Sequence, residues 1–391
     1  MRQLDLGEFD FYWQVAESGF SKLPSLLPFR FEITKSLPFL LRRAVSDADI
    51  EILNYMYTLD ANVGYLQESN SLGMAYGEDL ILKIDSLRLT SSSSFSRVHT
   101  PRVLEIGCGG AAVLRRLATK SMKCFAIDPS PIAVDALNGT DVELITDFFP
   151  NQLNGEQFDF LFCADVLEHV ADPLDFLTTC KDHLLEEGLL LVSVPDCTKS
   201  IEIGDVSMAL HQHLSYFDAT SLKTILEEAG FADVAVETAK YGGSLYGTGI
   251  RRSSRIVINS GLGELPQALG EFFVKASSSI AAVRQEVKRS LSEADSVGIY
   301  VPLRGLPYVG GDLELRQSIP ELRLFDDTPS WKGKRIQERM AKIENFSQLA
   351  NRPVEHLYVM SLTFGHTISR KVVDSLGSQV SVKTLSSMLP H

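Results

Sequence analysis

Apolar runs and helically spaced apolar residues take turns along the middle of the chain. Runs at 102–107, 123–127, 142–146, 158–163 and 189–194 predict buried strands, and patterns of period 3.6 at 111–119, 131–137 and 173–185 predict helices between them. F-D-F-L-F-C at 158–163 and L-L-L-V-S-V at 189–194 do not alternate apolar with polar, so both faces of the sheet must be covered. The reading is an α/β fold, a doubly wound parallel sheet whose ligands sit beyond the carboxyl ends of the strands. A helix at 219–229 stopped by Gly230, a strand at 234–238 and a closing strand at 255–259 complete it.

A long helical connector at 264–291 leads to a second alternation: strands at 297–301, 322–325 and 356–360, a Gly/Pro-rich turn after the first, and helices at 334–343 and 367–374. The N-terminal 60 residues, broken by Pro24, Pro28 and Pro38, read as an irregular cap, followed by helices at 46–59 and 77–89 and a serine-rich linker at 90–96. The predicted divisions are a mainly helical or irregular N-terminal cap (1–96), a Rossmann-like ligand-binding domain (97–260), a helical connector (261–295) and a smaller C-terminal α/β domain (296–391).

Composition narrows the function without naming it. The chain has 391 residues, enough for two or three domains, and a net charge of −13 from 50 acidic and 37 basic side chains. Such a balance argues against nucleic acid or an anionic membrane as partner, and no apolar run approaches the ~20 residues of a membrane span. Without a basic, apolar leader the expected location is cytoplasmic. The five cysteines (Cys108, Cys124, Cys163, Cys180, Cys197) lie apart, with no C-x-x-C pair, and read as buried structural thiols; no metal is expected.

The chemistry starts at V-L-E-I-G-C-G-G, residues 103–110, where a strand runs into a glycine turn and a helix. Gly107, Gly109 and Ala112 fit G-x-G-x-x-G/A, a turn that brings backbone close to a nucleotide at a helix N-terminus, though such turns also serve packing alone. Asp128, 21 residues after Gly107 at the tip of the next strand, suits a ribose diol or caps the helix opened by Pro131. Either a nicotinamide dinucleotide or S-adenosyl-L-methionine satisfies these residues. Glu105 favours the second: a carboxylate beside the turn is awkward near a pyrophosphate and apt near a sulfonium cofactor with a free amino group. Asp147, ending the third strand, can accept from an adenine amino group.

After the fourth strand comes A-D-V-L-E-H-V, residues 164–170, and at this point the chain resembles class I methyltransferases. The resemblance implies a cofactor site of Glu105, Gly107, Cys108, Gly109, Asp128, Pro129, Asp147, Phe148, Ala164, Asp165, Val166 and His169, with Tyr76 and Tyr65 closing over it. Further on, L-H-Q-H-L-S-Y-F (210–217), Y-G-G-S-L (241–245), D-D-T-P (326–329) and K-G-K (332–334) resemble sugar C-methyltransferases acting on nucleotide-linked deoxysugars. Their N-terminal four-cysteine zinc module has no counterpart here, Leu210 and Gln212 stand where they carry tyrosine and glutamate, and the turn at 302–307 lacks their glycine fingerprint.

The resemblance implies His213 as general base, His211 and Gln212 as substrate-positioning groups, and Tyr216, Tyr241, Gly242, Gly243, Ser244 and Arg251 at the substrate, with Arg252 and Arg255 beside a diphosphate. Structural roles stand beside these: the histidines as hydrogen-bonded links, the glycines as a turn, the arginines as a solvated cluster. Enolate formation for C-methylation looks weakened without tyrosine and glutamate, whereas one histidine suffices to deprotonate a hydroxyl, so O-methylation of a sugar or nucleotide-sugar is favoured over C-methylation. Rival readings are a polyketide or phenolic acceptor and a scaffold that binds the cofactor without turnover. A homodimer stands as an open expectation.

Overall fold

A computed structural model describes residues 3–35, 39–59, 71–241, 243–253 and 264–390. The closing strand expected at 255–259, and Tyr65, Gly242 and Arg255, lie outside the described residues. The chain folds as two discontinuous bodies: residues 34–197 with 213–264, and residues 1–33 with 198–212 and 265–391.

The first body is built on a seven-stranded sheet: β1 (Arg102–Ile106), β2 (Lys123–Ile127), β3 (Glu143–Ile145), β4 (Phe158–Ala164), β5 (Leu184–Pro195), β6 (Ala232–Thr238) and β7 (Ser244–Ile250). Their spatial order is β6-β7-β5-β4-β1-β2-β3. The five strands from β5 to β3 run parallel, and β7 is inserted antiparallel between β6 and β5. Alternate residues feed two separate cores. Leu104, Ile106, Phe125, Leu161 and Val192 pack with Leu177 and Leu222 from helices Pro173–Asp182 and Ala219–Glu228. Val103, Cys124, Phe160 and Leu191 pack on the other face with Leu80, Val113 and Ala133 from helices Ser71–Thr90, Ala112–Ala118 and Pro131–Leu137. That two-sided burial is the physical reason the strands read as unbroken apolar runs. All five cysteines are buried and free.

The second body carries a five-stranded, wholly parallel sheet in the spatial order Ile343–Glu344, Arg323–Phe325, Val297–Tyr300, His356–Val359, Ser381–Thr384. The connector is one helix, Gln267–Glu293. The first residues of the chain belong here and are not irregular: Gln3–Asp10 and Leu26–Ile33 pair as an antiparallel hairpin. Asp10, fully buried, takes a two-pronged ion pair from Arg339 at 2.5 and 2.9 Å. Segment 198–212 also packs in this body. A Cβ on Gly204 would meet the backbone nitrogen of Ala276 at 2.4 Å, so the segment is laid directly on the long helix. Tyr308 donates to Asp205 at 2.8 Å and accepts from the Val206 amide at 3.1 Å.

Two local expectations fail. Residues 334–343 are not helical, because Arg335 pairs its backbone with Ala16 in both directions and Ile336 and Met340 reach the core from an irregular path. The Gly/Pro-rich stretch after Tyr300 is a helix, Pro302–Val309, with Pro302 at its first position where a missing N–H costs nothing.

Candidate active site

The glycine turn follows β1 directly. Gly107 and Gly109 have φ of +71° and +47°, and Ala111, also left-handed at +53°, caps helix Ala112–Ala118. A Cβ on Gly107 would come within 2.6 Å of Val166 Cγ2, so the turn lies tight against the loop after β4. Glu105 is 3% exposed, and its Oε2 has no hydrogen-bond partner among the described residues. Burial first, then the charge of Asp128, holds its carboxyl well above the ordinary range, against a backbone hydrogen bond from Leu114. Asp128 accepts from the Gly109 amide at 2.8 Å and from the amide and hydroxyl of Ser130 at 2.8 and 2.5 Å. A carboxylate offers about four acceptor positions, so one stays open at Asp128. Asp147 likewise accepts from Phe148 N, Asn151 and Gln152 at 2.7 to 3.0 Å, and those bonds lower its carboxyl. Cys108 and Ala164 are buried, and Pro129, Phe148 and Val166 half-buried, around these strand ends.

An unpartnered buried carboxylate oxygen beside a backbone cradle, with two further carboxylates at the tips of the next strands, fits S-adenosyl-L-methionine. The donor's amino group would meet Glu105, its ribose diol Asp128 and its adenine amino group Asp147. Tyr76 stands over the same edge, hydrogen-bonded to Ser193 Oγ at 2.9 Å, and Asp165 is exposed there.

Beyond β4 the loop 167–169 and the segment starting at His213 come together. His169 and His213 stand edge to face with ring centroids 4.9 Å apart, and Tyr216 lies 6.2 Å from His213. The Leu214 amide donates to Glu168 O at 2.7 Å, which ties the two loops. Arg42 and Arg43 hold the Leu214 carbonyl from strand Leu41–Arg43, and Arg43 is itself paired with Asp49 at 2.7 Å. Tyr57, at the end of helix Asp47–Tyr57, shares a 2.9 Å hydrogen bond with His169 Nδ1. Glu168 is 1% exposed, its carboxylate oxygens have no side-chain hydrogen-bond partner among the described residues, and Oε1 lies 3.7 Å from His169 Nε2. Burial, then Asp165, pushes the Glu168 carboxyl well above the ordinary range. Among the described residues, Glu168, His169 and His213 bring one ligand atom each within 4.8 Å of the others.

Other expected site residues are placed elsewhere. His211 belongs to the second body: it is 2% exposed, its ring sits among Phe9, Phe11 and Phe29, and its Nε2 meets Leu27 O at 2.9 Å. That is a packed aromatic core, not a substrate surface, and Gln212 is buried in the same body. Arg251 is also corrected. Because β7 is antiparallel, Ile250 pairs with Leu189 at the start of β5, whereas Ser244 pairs with Pro195 at its end. Six residues of strand, roughly 20 Å, separate Arg251 from the ligand edge. Its guanidinium donates to Leu184 O and Asp182 O at the end of helix Pro173–Asp182.

Ser244 and Gly243 do lie at the ligand edge; Gly243 O accepts from Asp196 N at 3.0 Å. Tyr241 packs 6.4 Å from Tyr76, and Asp79 holds both the Tyr241 amide and the Tyr246 hydroxyl, at 3.2 and 3.1 Å. Tyr57, Asp79 and Ser193 carry no motif; only their neighbours in space reveal them.

Residues 76–236 match the family described as methyltransferase domains. The ubiquinone biosynthesis O-methyltransferase of Cereibacter sphaeroides is 34% identical over 99 residues, which are 24% of this chain and 40% of that protein. That of Actinobacillus pleuropneumoniae is 29% identical over 124 residues, 29% of this chain and 51% of the other. The chain thus spans about half the length of the curated relatives it matches. The N-methyltransferase NodS of Bradyrhizobium japonicum, solved with S-adenosyl-L-homocysteine, aligns over 52% of this chain and 99% of its own, at 18% identity and a TM-score of 0.37.

Proposed function

We propose that the protein, whose residues 76–236 match a methyltransferase domain, methylates a hydroxyl of a small-molecule acceptor with S-adenosyl-L-methionine as donor. The observation that carries this reading is the His169–His213 pair at the ligand edge of the sheet that presents the glycine turn. When bound, S-adenosyl-L-methionine supplies a methyl group on a sulfonium centre, open to in-line displacement. Glu105, the 107–109 turn, Asp128 and Asp147 hold the donor. His213 takes the acceptor's hydroxyl proton as oxygen attacks, and His169, fixed by Tyr57, lies against it. Tyr76, Tyr216, Tyr241, Gly243 and Ser244 line the acceptor side. Leu210 and Gln212 stand where the sugar C-methyltransferases carry tyrosine and glutamate, which supports oxygen over carbon as the methylated atom.

A sugar or nucleotide-sugar is the first acceptor class, from the segments 210–217 and 241–245. A phenolic acceptor is the second, favoured by the relatives, which are named for ubiquinone biosynthesis O-methylation. The test is methyl transfer from a labelled donor to a panel of nucleotide-sugars and phenols, with the labelled atom located by NMR. His213→Ala should lose ~10²–10⁴-fold in turnover with S-adenosyl-L-homocysteine affinity unchanged. Unchanged turnover would refute the base, label on carbon the hydroxyl reading, and cofactor binding without transfer to any acceptor would leave a scaffold.

A further inference from the structure

We propose that Glu168, His169 and His213 also form a binding site for one divalent transition-metal ion, and that its occupancy switches methyl transfer off. Two imidazoles and one carboxylate are a donor set for zinc, cobalt or nickel rather than for magnesium or calcium, which prefer oxygen throughout. Ligand atoms around a tetrahedral ion with ~2.1 Å bonds stand about 3.4 Å apart. Here they lie within 4.8 Å of one another, and the Glu168 Oε1–His169 Nε2 pair is already at 3.7 Å. Small rotations therefore close the site.

The independent sign is Glu168 itself. A carboxylate with 1% exposure and no side-chain hydrogen bond among the described residues is an expensive group to bury charged, and an adjacent cation resolves that cost. The surroundings are built to hold the ligands without the ion. Tyr57 engages His169 Nδ1, as an outer partner does that fixes the ring of a ligating histidine, and His169 Nε2 lies 3.7 Å from Glu168 Oε1. The Leu214–Glu168 backbone bond keeps the two ligand-bearing loops in register. Three protein ligands leave a fourth position for water.

The switching clause rests on the base role of His213 given above. An imidazole whose lone pair binds a metal cannot accept the acceptor's proton, so metal and turnover exclude each other.

The site itself is tested without donor or acceptor. The full chain, treated with chelator and dialysed, is titrated with Co2+ and followed by the visible absorption of four-coordinate cobalt and by calorimetry. One equivalent should bind, with affinity reduced at least tenfold in Glu168→Gln and in His213→Ala, and Zn2+ should displace the cobalt. Circular dichroism and S-adenosyl-L-homocysteine affinity show that each variant is folded. No cobalt band in wild type, or binding unaltered in both variants, overturns the site. With a working acceptor in hand, turnover should fall in proportion to Zn2+ occupancy, and turnover that rises with occupancy overturns the switch. Failure of the methyl-transfer reading leaves the cobalt result standing, so the two are distinguishable.

Discussion

Gly107→Ala tests the cofactor cradle where its geometry is tightest. At φ = +71° an alanine pays a left-handed backbone cost of ~1–2 kcal/mol. Its Cβ would sit 2.6 Å from Val166 Cγ2, and moving that methyl aside is an overpacking of ~1–3 kcal/mol. The sum is about 2–5 kcal/mol. For a body of this size each kcal/mol moves the melting midpoint by ~2–4 °C, so a drop of about 4–20 °C is expected. Calorimetry should also show at least a tenfold loss in S-adenosyl-L-homocysteine affinity, because the displaced turn no longer presents its amides where the cofactor lies. Pairing the change with Val166→Ala removes the clash and keeps the backbone cost, so Gly107→Ala/Val166→Ala should regain part of the lost stability. A Gly107→Ala protein that melts within 1 °C of wild type (~0.5 kcal/mol) and binds the homocysteine with native affinity would refute the reasoning.

Arg251→Ala should cost ~1 kcal/mol by taking the guanidinium donor from the Leu184 carbonyl at the start of β5. Its KM for any acceptor should stay that of wild type, which steady-state kinetics beside melting curves would show. His211→Ala opens a hole among Phe9, Phe11 and Phe29 and should destabilise the body containing the hairpin by ~2–4 kcal/mol; a melting transition unchanged from wild type would contradict that packing. In the same body, hydrogen bonds and ion pairs from Lys383, Arg289 and Tyr358 pull Glu286 down to about 2. Because its carboxyl is lowered on folding, the stabilisation is present above about 4.5 and is lost as pH falls towards 2. Solvent screening limits it to ~1 kcal/mol. Urea titrations of Glu286→Gln should therefore show a deficit at pH 6 that closes below pH 3.

The central sheet was legible because its signals are local. An apolar run bounded by a glycine turn or an acid is a buried strand whatever else the chain does, and Glu105, Asp128 and Asp147 mark three strand ends in succession. Direction was not legible. Residues 241–251 read as a turn with basic residues beyond it, because nothing in Ser244–Ile250 says that the strand runs antiparallel. Its reversal carries Ser244 to the ligand edge and Arg251 away from it. The hairpin at the N-terminus was missed for a related reason: Leu4, Leu6, Phe29 and Phe31 do alternate with polar residues, but Pro28 and the long intervening segment conceal the pairing.

The histidines show how far a spacing argument reaches. Two residues at i and i+2 share a face only when the backbone between them is a regular strand. Here residues 211–214 are a turn and an irregular stretch before the short strand Ser215–Tyr216, so the rule has no purchase. His211 lies in the segment 198–212 that folds with the C-terminal body, and His213 begins the return to the methyltransferase body. The imidazole that joins His213 comes from the loop after β4, forty-four residues earlier, where the sequence suggests a cofactor contact or a helix cap. The imidazole beside the candidate base is that of His169, which shares a hydrogen bond with Tyr57. Tyr57→Phe separates these assignments: it should lower turnover and shift its pH profile while leaving donor affinity intact, whereas Gln212→Ala should act through the stability of its own body.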